Sequence, residues 1–153
     1  MAGAPIPLAR LFAMATRYLI DELHGRLADR GWPGLRPAYG FTLVAAREQP
    51  LTAGAIAGLL GMTKQAASKL VDAMEEEGYV RRRPDADDAR AKVVALTPRG
   101  HRLLAAVEEI YAELEAEWAE TVGGTRIEAM RADLAEALRA SHDGVLPAIR
   151  PTW

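Results

Sequence analysis

Lys64, Gln65, Ser68 and Lys69 lie within six residues of one another, and Arg81, Arg82, Arg83, Arg90 and Lys92 follow shortly after. Lysine and arginine attract phosphate oxygens and donate to guanine, glutamine matches the donor and acceptor of adenine, and serine serves either. Side chains of these types suit a nucleic acid if one scaffold presents them together. Other chemistry finds little support. With no cysteine in the chain, there is neither a thiol nucleophile nor a thiol redox switch. His24, His101 and His142 are the only histidines, lie far apart, and fall in no metal-ligand spacing. Gly54, Gly58 and Gly61 are too loosely spaced for a phosphate-binding loop and lack its lysine. No catalytic residue, cofactor or metal is therefore expected.

The elements that must position those side chains can be read from periodicity. A helix beginning near Thr63 and ending before Gly78 places Ala66, Ala67, Leu70, Val71, Ala73 and Met74 on one face. Lys64, Gln65, Ser68, Lys69 and Asp72 fall on the other. Thr63 is positioned as its N-cap, beside any phosphate the helix approaches. A shorter helix precedes it, capped by Thr52, with Ile56, Leu59 and Leu60 on its apolar face. Ala57 and Gly58 are expected to keep the approach between the two helices close, and Gly61 to permit a tight turn. Gly78 stands where a left-handed residue ends a helix. Tyr79 and Val80 open a strand, and Val93 to Leu96 form its return. Pro84, Asp85, Ala86, Asp87 and Asp88 supply turn chemistry between them. Thr97-Pro98 then starts another helix. The order is helix, turn, helix, basic hairpin. In such an arrangement one helix enters the major groove and the hairpin reaches the flanking backbone.

This segment resembles the winged helix-turn-helix of the MarR family of bacterial transcription regulators. The likeness lies in Leu51-Thr52, Leu60 to Gln65, Ser68 to Val71, Glu77 to Arg82, Asp87 to Lys92 and Val94 to Gly100. Its most specific part is the Asp-x-Arg of the wing followed by Leu96-Thr97 and Gly100. The motif spans about a third of the chain, and the helical flanks extend the likeness to most of it. Ala89 departs from the pattern, since many members have a second arginine there. The resemblance implies a mainly α fold with a small β-hairpin wing, a DNA-reading lobe and a helical dimerisation lobe. It implies that Thr63, Lys64, Gln65, Ser68 and Lys69 meet DNA from the helix, and Arg83, Arg90 and Lys92 from the wing. Asp88 is expected to hold Arg90 or a neighbouring arginine in shape; the alternative is a solvated loop acid.

The overall formal charge of −2 opposes DNA binding, but its distribution does not. Residues 1–61 carry six arginines against four acids, residues 62–102 nine cations against seven acids, and residues 103–153 four arginines against ten acids. Screening over about 8 Å lets a local basic patch act apart from distant acids. The acids inside the middle segment, Glu75 to Glu77 and Asp85, Asp87 and Asp88, must turn away from phosphate or pair with arginines.

The rest of the chain is helical by periodicity: Leu8 to Arg30, ended by Gly31-Trp32-Pro33-Gly34; Pro37 to about Arg47; a long helix after Thr97 through Trp118. Gly123-Gly124-Thr125 breaks that helix, with Thr125 as the expected cap of a last one bearing Ile127, Met130, Leu134 and Leu138. At 153 residues this is most simply one domain, with residues 1–34 and 103–153 forming the dimerisation region and 35–102 the winged region. The apolar first helix and the tail Val145 to Ile149 suggest a homodimer, as the resemblance does. A two-fold dimer would read a near-palindromic operator in double-stranded DNA. The resemblance further implies a small-molecule effector in the cleft between lobes, with Tyr18, Trp32, Tyr39, Phe41, His101 and Tyr111 as candidate liners, although aromatics at helical spacing are usually core. No apolar run reaches the about 18 residues of a membrane span, and no secretion signal is apparent, so a cytoplasmic protein is expected. The reading is a ligand-released, dimeric repressor. The competing readings are a winged-helix protein-interaction module and a dimerisation domain, such as one from a small enzyme. The basic helix face and arginine triplet disfavour the first, and the lack of a cofactor-binding strand-loop-helix disfavours the second.

Overall fold

The computed structural model describes residues 3–149. The elements, in order, are α1 (Leu8–Asp29), α2 (Pro37–Glu48), α3 (Ala53–Leu60), α4 (Lys64–Glu76), β1 (Val80–Pro84), β2 (Lys92–Leu96), α5 (Pro98–Val122) and α6 (Gly124–Ala140). The fold is mainly α with one antiparallel hairpin, in which Val80 pairs with Leu96, Arg82 with Val94 and Pro84 with Lys92. Leu51, just before α3, adds a further bridge to the hairpin: the Val94 amide donates to the Leu51 carbonyl at 2.8 Å. The wing is thereby tied to the start of the helix-turn-helix as well as to its end.

Three helices begin on threonine. The Oγ1 atoms of Thr52, Thr63 and Thr97 accept from the amides of Ala55, Ala66 and Gly100, each at 3.1 Å. Each such cap satisfies an amide that the helix itself leaves unbonded and stabilises by roughly 1 kcal/mol. Thr125 does not do the same. α6 starts at Gly124 with Gly123 as its cap and no side-chain bond. Gly123 has φ 92°, so the chain reverses from α5 into α6 before Thr125 is reached.

The end of α4 sets the base of the wing. Gly78 has φ 83°; its amide donates to the Glu75 carbonyl and that of Tyr79 to the Met74 carbonyl, at 3.0 and 2.9 Å. This pair of bonds closes the helix and sends the chain into β1 at a fixed angle. α5 then crosses so close beneath Tyr79 that a Cβ on Gly100 would lie 2.1 Å from the Tyr79 carbonyl oxygen. Only glycine fits there.

The core forms around α5, where Leu103, Leu104, Val107, Ile110 and Leu114 are buried. α1 adds Leu23 and Leu27, α2 adds Tyr39, Leu43 and Ala46, and α3 and α4 add Ile56, Leu60, Leu70, Val71 and Met74. Ala57 and Ala67 are the small buried residues of the helix-turn-helix. Gly58, expected at that approach, is exposed with open space around it, because it falls on the outer side of α3. Ala66, assigned to the packed face of α4, is also exposed: only the narrower stripe of Ala67, Leu70, Val71 and Met74 is covered.

The two ends of the chain differ from this core. In the first half of α1, Leu8, Leu11, Phe12 and Met14 are exposed, and in α6 only Ile127 is buried. No helix among the described residues is long and apolar enough to cross a membrane.

Candidate nucleic-acid interface

α4 packs its apolar stripe on α3 and the hairpin, which leaves the opposite face outward. Lys64, Gln65 and Lys69 are exposed and Ser68 is half-buried. Thr63 spends its hydroxyl oxygen on the helix cap at the head of this face. On the wing, Arg83, Arg90 and Lys92 are exposed. Among the described residues Lys64, Lys69, Arg81, Arg83, Arg90 and Lys92 have no acidic partner within salt-bridge range, whereas Arg17, Arg26, Arg30, Arg47, Arg82 and Arg131 all do. A phosphate could therefore meet the cations of α4 and the wing without displacing a carboxylate.

Four acids of this region, Asp72, Glu75, Asp85 and Asp88, are occupied elsewhere. At the wing tip Asp88 accepts the Arg90 amide through Oδ1 at 3.0 Å, and its carbonyl accepts the Ala91 amide at 3.1 Å. Asp88 thus shapes the backbone that carries Arg90 and does not bind its guanidinium. Asp85 likewise accepts the Asp87 amide at 3.1 Å. Asp72, on the outward face of α4, lies 2.7 Å from Nη2 of Arg82, and Glu75 lies 3.1 Å from Nη1. Arg82 also donates to the Ser68 carbonyl at 3.2 Å, and its amide donates to Glu75 at 2.8 Å. One arginine of β1 therefore grips three successive turns of α4 and neutralises two acids that would otherwise face phosphate. Sequence reasoning placed Arg82 in a basic triplet with no separate role. The strand's alternation from buried Val80 was the available signal: residues two apart share a face, which turns Arg82 inward and Arg81 and Arg83 outward.

Behind this surface, α1, α2 and α5 enclose a cavity of about 120 Å³. Of the six aromatic and histidine candidates, Tyr39, Phe41 and Tyr111 line it; Tyr18, Trp32 and His101 do not. Tyr18 stacks on Trp118 at 6.1 Å, Trp32 packs against Tyr79 at 6.2 Å under the Arg99 guanidinium, and His101 is exposed on the outer face of α5. Burial pushes the Tyr111 phenol up from its ordinary value, so it stays protonated. His24, not assigned from sequence, also lines the cavity. Its Nδ1–H donates to the Leu35 carbonyl at 3.0 Å. Arg36 lines both this cavity and a wider groove on the other side, about 490 Å³, formed with Met62, Ala66, Lys69 and Leu70. Among the described residues no group of three or more histidine or acidic side chains could hold a metal.

A helix-turn-helix closed by a two-stranded wing, with unpaired cations on both, defines the class: a winged helix-turn-helix protein of the DNA-binding regulator type. The MarR family profile matches residues 34–91. MepR, a transcription regulator of the Staphylococcus aureus multidrug efflux pump MepA, is similar at 25% identity and a TM-score of 0.68 over 90% of this chain and all of its own. A mutant MepR bound to an oligodeoxyribonucleotide is 26% identical with a TM-score of 0.59, over 90% of this chain and all of its own. Apo MarR from E. coli shares the fold at 21% identity and a TM-score of 0.72, over 88% of this chain and 99% of its own. No curated protein matches the chain. The chain thus resembles the MarR family of transcription regulators, by profile over residues 34–91 and by fold over most of its length.

Proposed function

We propose that this protein is a homodimeric, cytoplasmic repressor that reads a near-palindromic operator and is released by a small molecule bound in the cavity between α1, α2 and α5. The observation that carries the reading is the set of unpaired cations on the outward face of α4 and on the wing, with Asp72, Glu75 and Asp88 already engaged. In this reading Lys64, Gln65, Ser68 and Lys69 enter the major groove from a helix capped by Thr63, while Arg90, flanked by Arg83 and Lys92, reaches the adjacent backbone or minor groove. The oligonucleotide complex of the similar MepR supports the DNA assignment. The uncovered apolar side chains of α1, α6 and the tail support a second copy as partner: Leu8 is 66% exposed, Met130 49% and Leu146 51%. Exposed apolar patches of this extent mark interaction sites. The cavity's apolar wall, with His24, Tyr111 and Arg36 as its polar points, supports a small effector.

Selection of bound fragments from sheared genomic DNA tests the reading. Recovered sites should share a near-palindrome with half-sites about 10 base pairs, one helical turn, apart. Recovery of fragments with no common sequence would sink it, and the winged helix would then be assigned to protein contacts.

A further inference from the structure

The wall of the cavity and the grip on the recognition helix are the same residue. Tyr39 is buried in α2 and is one of the residues lining the cavity. Its hydroxyl accepts from Nη2 of Arg36 at 3.3 Å and donates to Oε1 of Glu77 at 3.3 Å. Glu77 is the C-cap residue of α4, just before the turn into the wing. The Glu77 carbonyl accepts from Nε of Arg99 at 3.1 Å, and the Arg99 guanidinium lies over the rings of Trp32 and Tyr79 at 5.1 and 5.0 Å. Tyr39 meets Tyr79 edge-on at 6.0 Å. The end of α4 and the first residues of the wing are thus held by a cluster whose innermost member faces the cavity.

We propose that Tyr39 is the positioning residue through which cavity occupancy sets the recognition helix, acting by its hydroxyl on Glu77. This rests on the reading that the cavity takes an effector and that α4 reads DNA. A ligand that displaces the Tyr39 ring, or bonds its hydroxyl or Arg36, breaks the Tyr39–Glu77 bond. The end of α4 and the root of the wing then lose one of their supports, and the angle between helix and hairpin is freed. A ligand can shift this equilibrium only through such a differential contact. Arg36 strengthens the link, because it lines the cavity and also the groove beside Lys69 on the DNA-facing side. A ligand anion that draws its guanidinium inward removes a cation from that groove.

The test is a coupling measurement on the full chain. Benzoate is the probe, since a planar ring suits the apolar wall and a carboxylate suits Arg36. Its binding is read by calorimetry, and DNA affinity by anisotropy on the selected operator with and without saturating benzoate. In the wild type, benzoate should weaken DNA binding within the range of about 5–150-fold usual for coupled sites. Glu77→Ala lies outside both the cavity and the DNA-contact set. It should bind benzoate to within about threefold of wild type, bind DNA without benzoate about as weakly as the benzoate-saturated wild type does, and show a coupling below about twofold. Tyr39→Phe, and the double variant, should lose the coupling to the same extent as Glu77→Ala, because the three changes remove one shared bond. Wild-type coupling retained in Glu77→Ala and Tyr39→Phe overturns this inference and leaves the effector reading standing. Benzoate that does not bind the wild type, or binds without changing its DNA affinity, overturns the effector reading and this inference with it.

Discussion

The winged lobe and the terminal helices are built to different degrees of completion. From Pro37 to Gly100 the apolar stripes are covered, three threonines cap helices, and Asp72, Glu75 and Asp88 are engaged by Arg82 or by a backbone amide. What stays uncovered there is cationic and polar. In α1, α6 and the tail the relation is reversed. Several charged side chains there are paired within the chain, as in Arg26 with Glu117 and Arg131 with Glu115, while the leucines and methionines are left open. Uncovered cations suit a polyanion, and uncovered leucines suit another apolar surface. The difference supports the proposal of DNA for the first region and a second subunit for the other, without either leaning on the other.

The contrast can be broken or sharpened by substitution. The largest effect is expected at Gly100, where Gly100→Ala would drive a Cβ into the Tyr79 carbonyl. A loss on the order of 4 kcal/mol or more is expected, read by urea denaturation; a near-neutral result would show that α5 can shift away from the wing. Next is the apolar face of α6. Leu134→Asp with Leu138→Asp should turn a dimer into a monomer by sedimentation, with operator affinity falling about 100-fold, about 2.7 kcal/mol, and helix content unchanged. A dimer that survives would place the interface elsewhere. Within the reading face, Gln65→Ala should cost about 1–3 kcal/mol of discrimination at one position per half-site. Equal losses on operator and random DNA would reassign Gln65 to positioning. Arg90→Ala should weaken binding to all sequences alike and flatten the salt slope by about one unit. The smallest effect concerns the clamp between α1 and α5. Hydrogen bonds from the Arg26 guanidinium hold the exposed Glu117 carboxyl below its ordinary value. Its contribution is therefore full above the ordinary carboxylate range and lost as pH falls through the lowered folded-state value. Glu117→Gln should flatten the acid side of the stability curve slightly, as urea midpoints at descending pH would show.

Much of this fold was legible in the sequence because its punctuation is strong. Thr52, Thr63 and Thr97 were readable as caps and Gly78 as a helix end, since each is the residue that its backbone position demands. Thr125 had the right type but the wrong place, because Gly123 starts the turn earlier. The outward residues of α4 were readable by period, although Ala66 shows that periodicity overestimates the width of a covered face. The cavity was harder to read. Tyr39, Phe41 and Tyr111 line it while Tyr18, Trp32 and His101 do not, and aromatic type alone cannot separate them. His24 and Arg36 were not assigned to the cavity because their places there depend on contacts with Leu35 and Tyr39, which only the fold creates. Arg82 was hidden inside a run of arginines whose members differ only in the face of the strand they occupy.

The central claim is that the outward face of α4 and the wing read DNA sequence. Anisotropy titration of the purified protein on its own upstream DNA and on a scrambled duplex, at near-physiological salt, tests it most directly. The account predicts tight, salt-dependent binding that favours the upstream duplex by about 1,000-fold or more. Equal affinity for both duplexes, carried through to the fragments recovered by genomic selection, would contradict it.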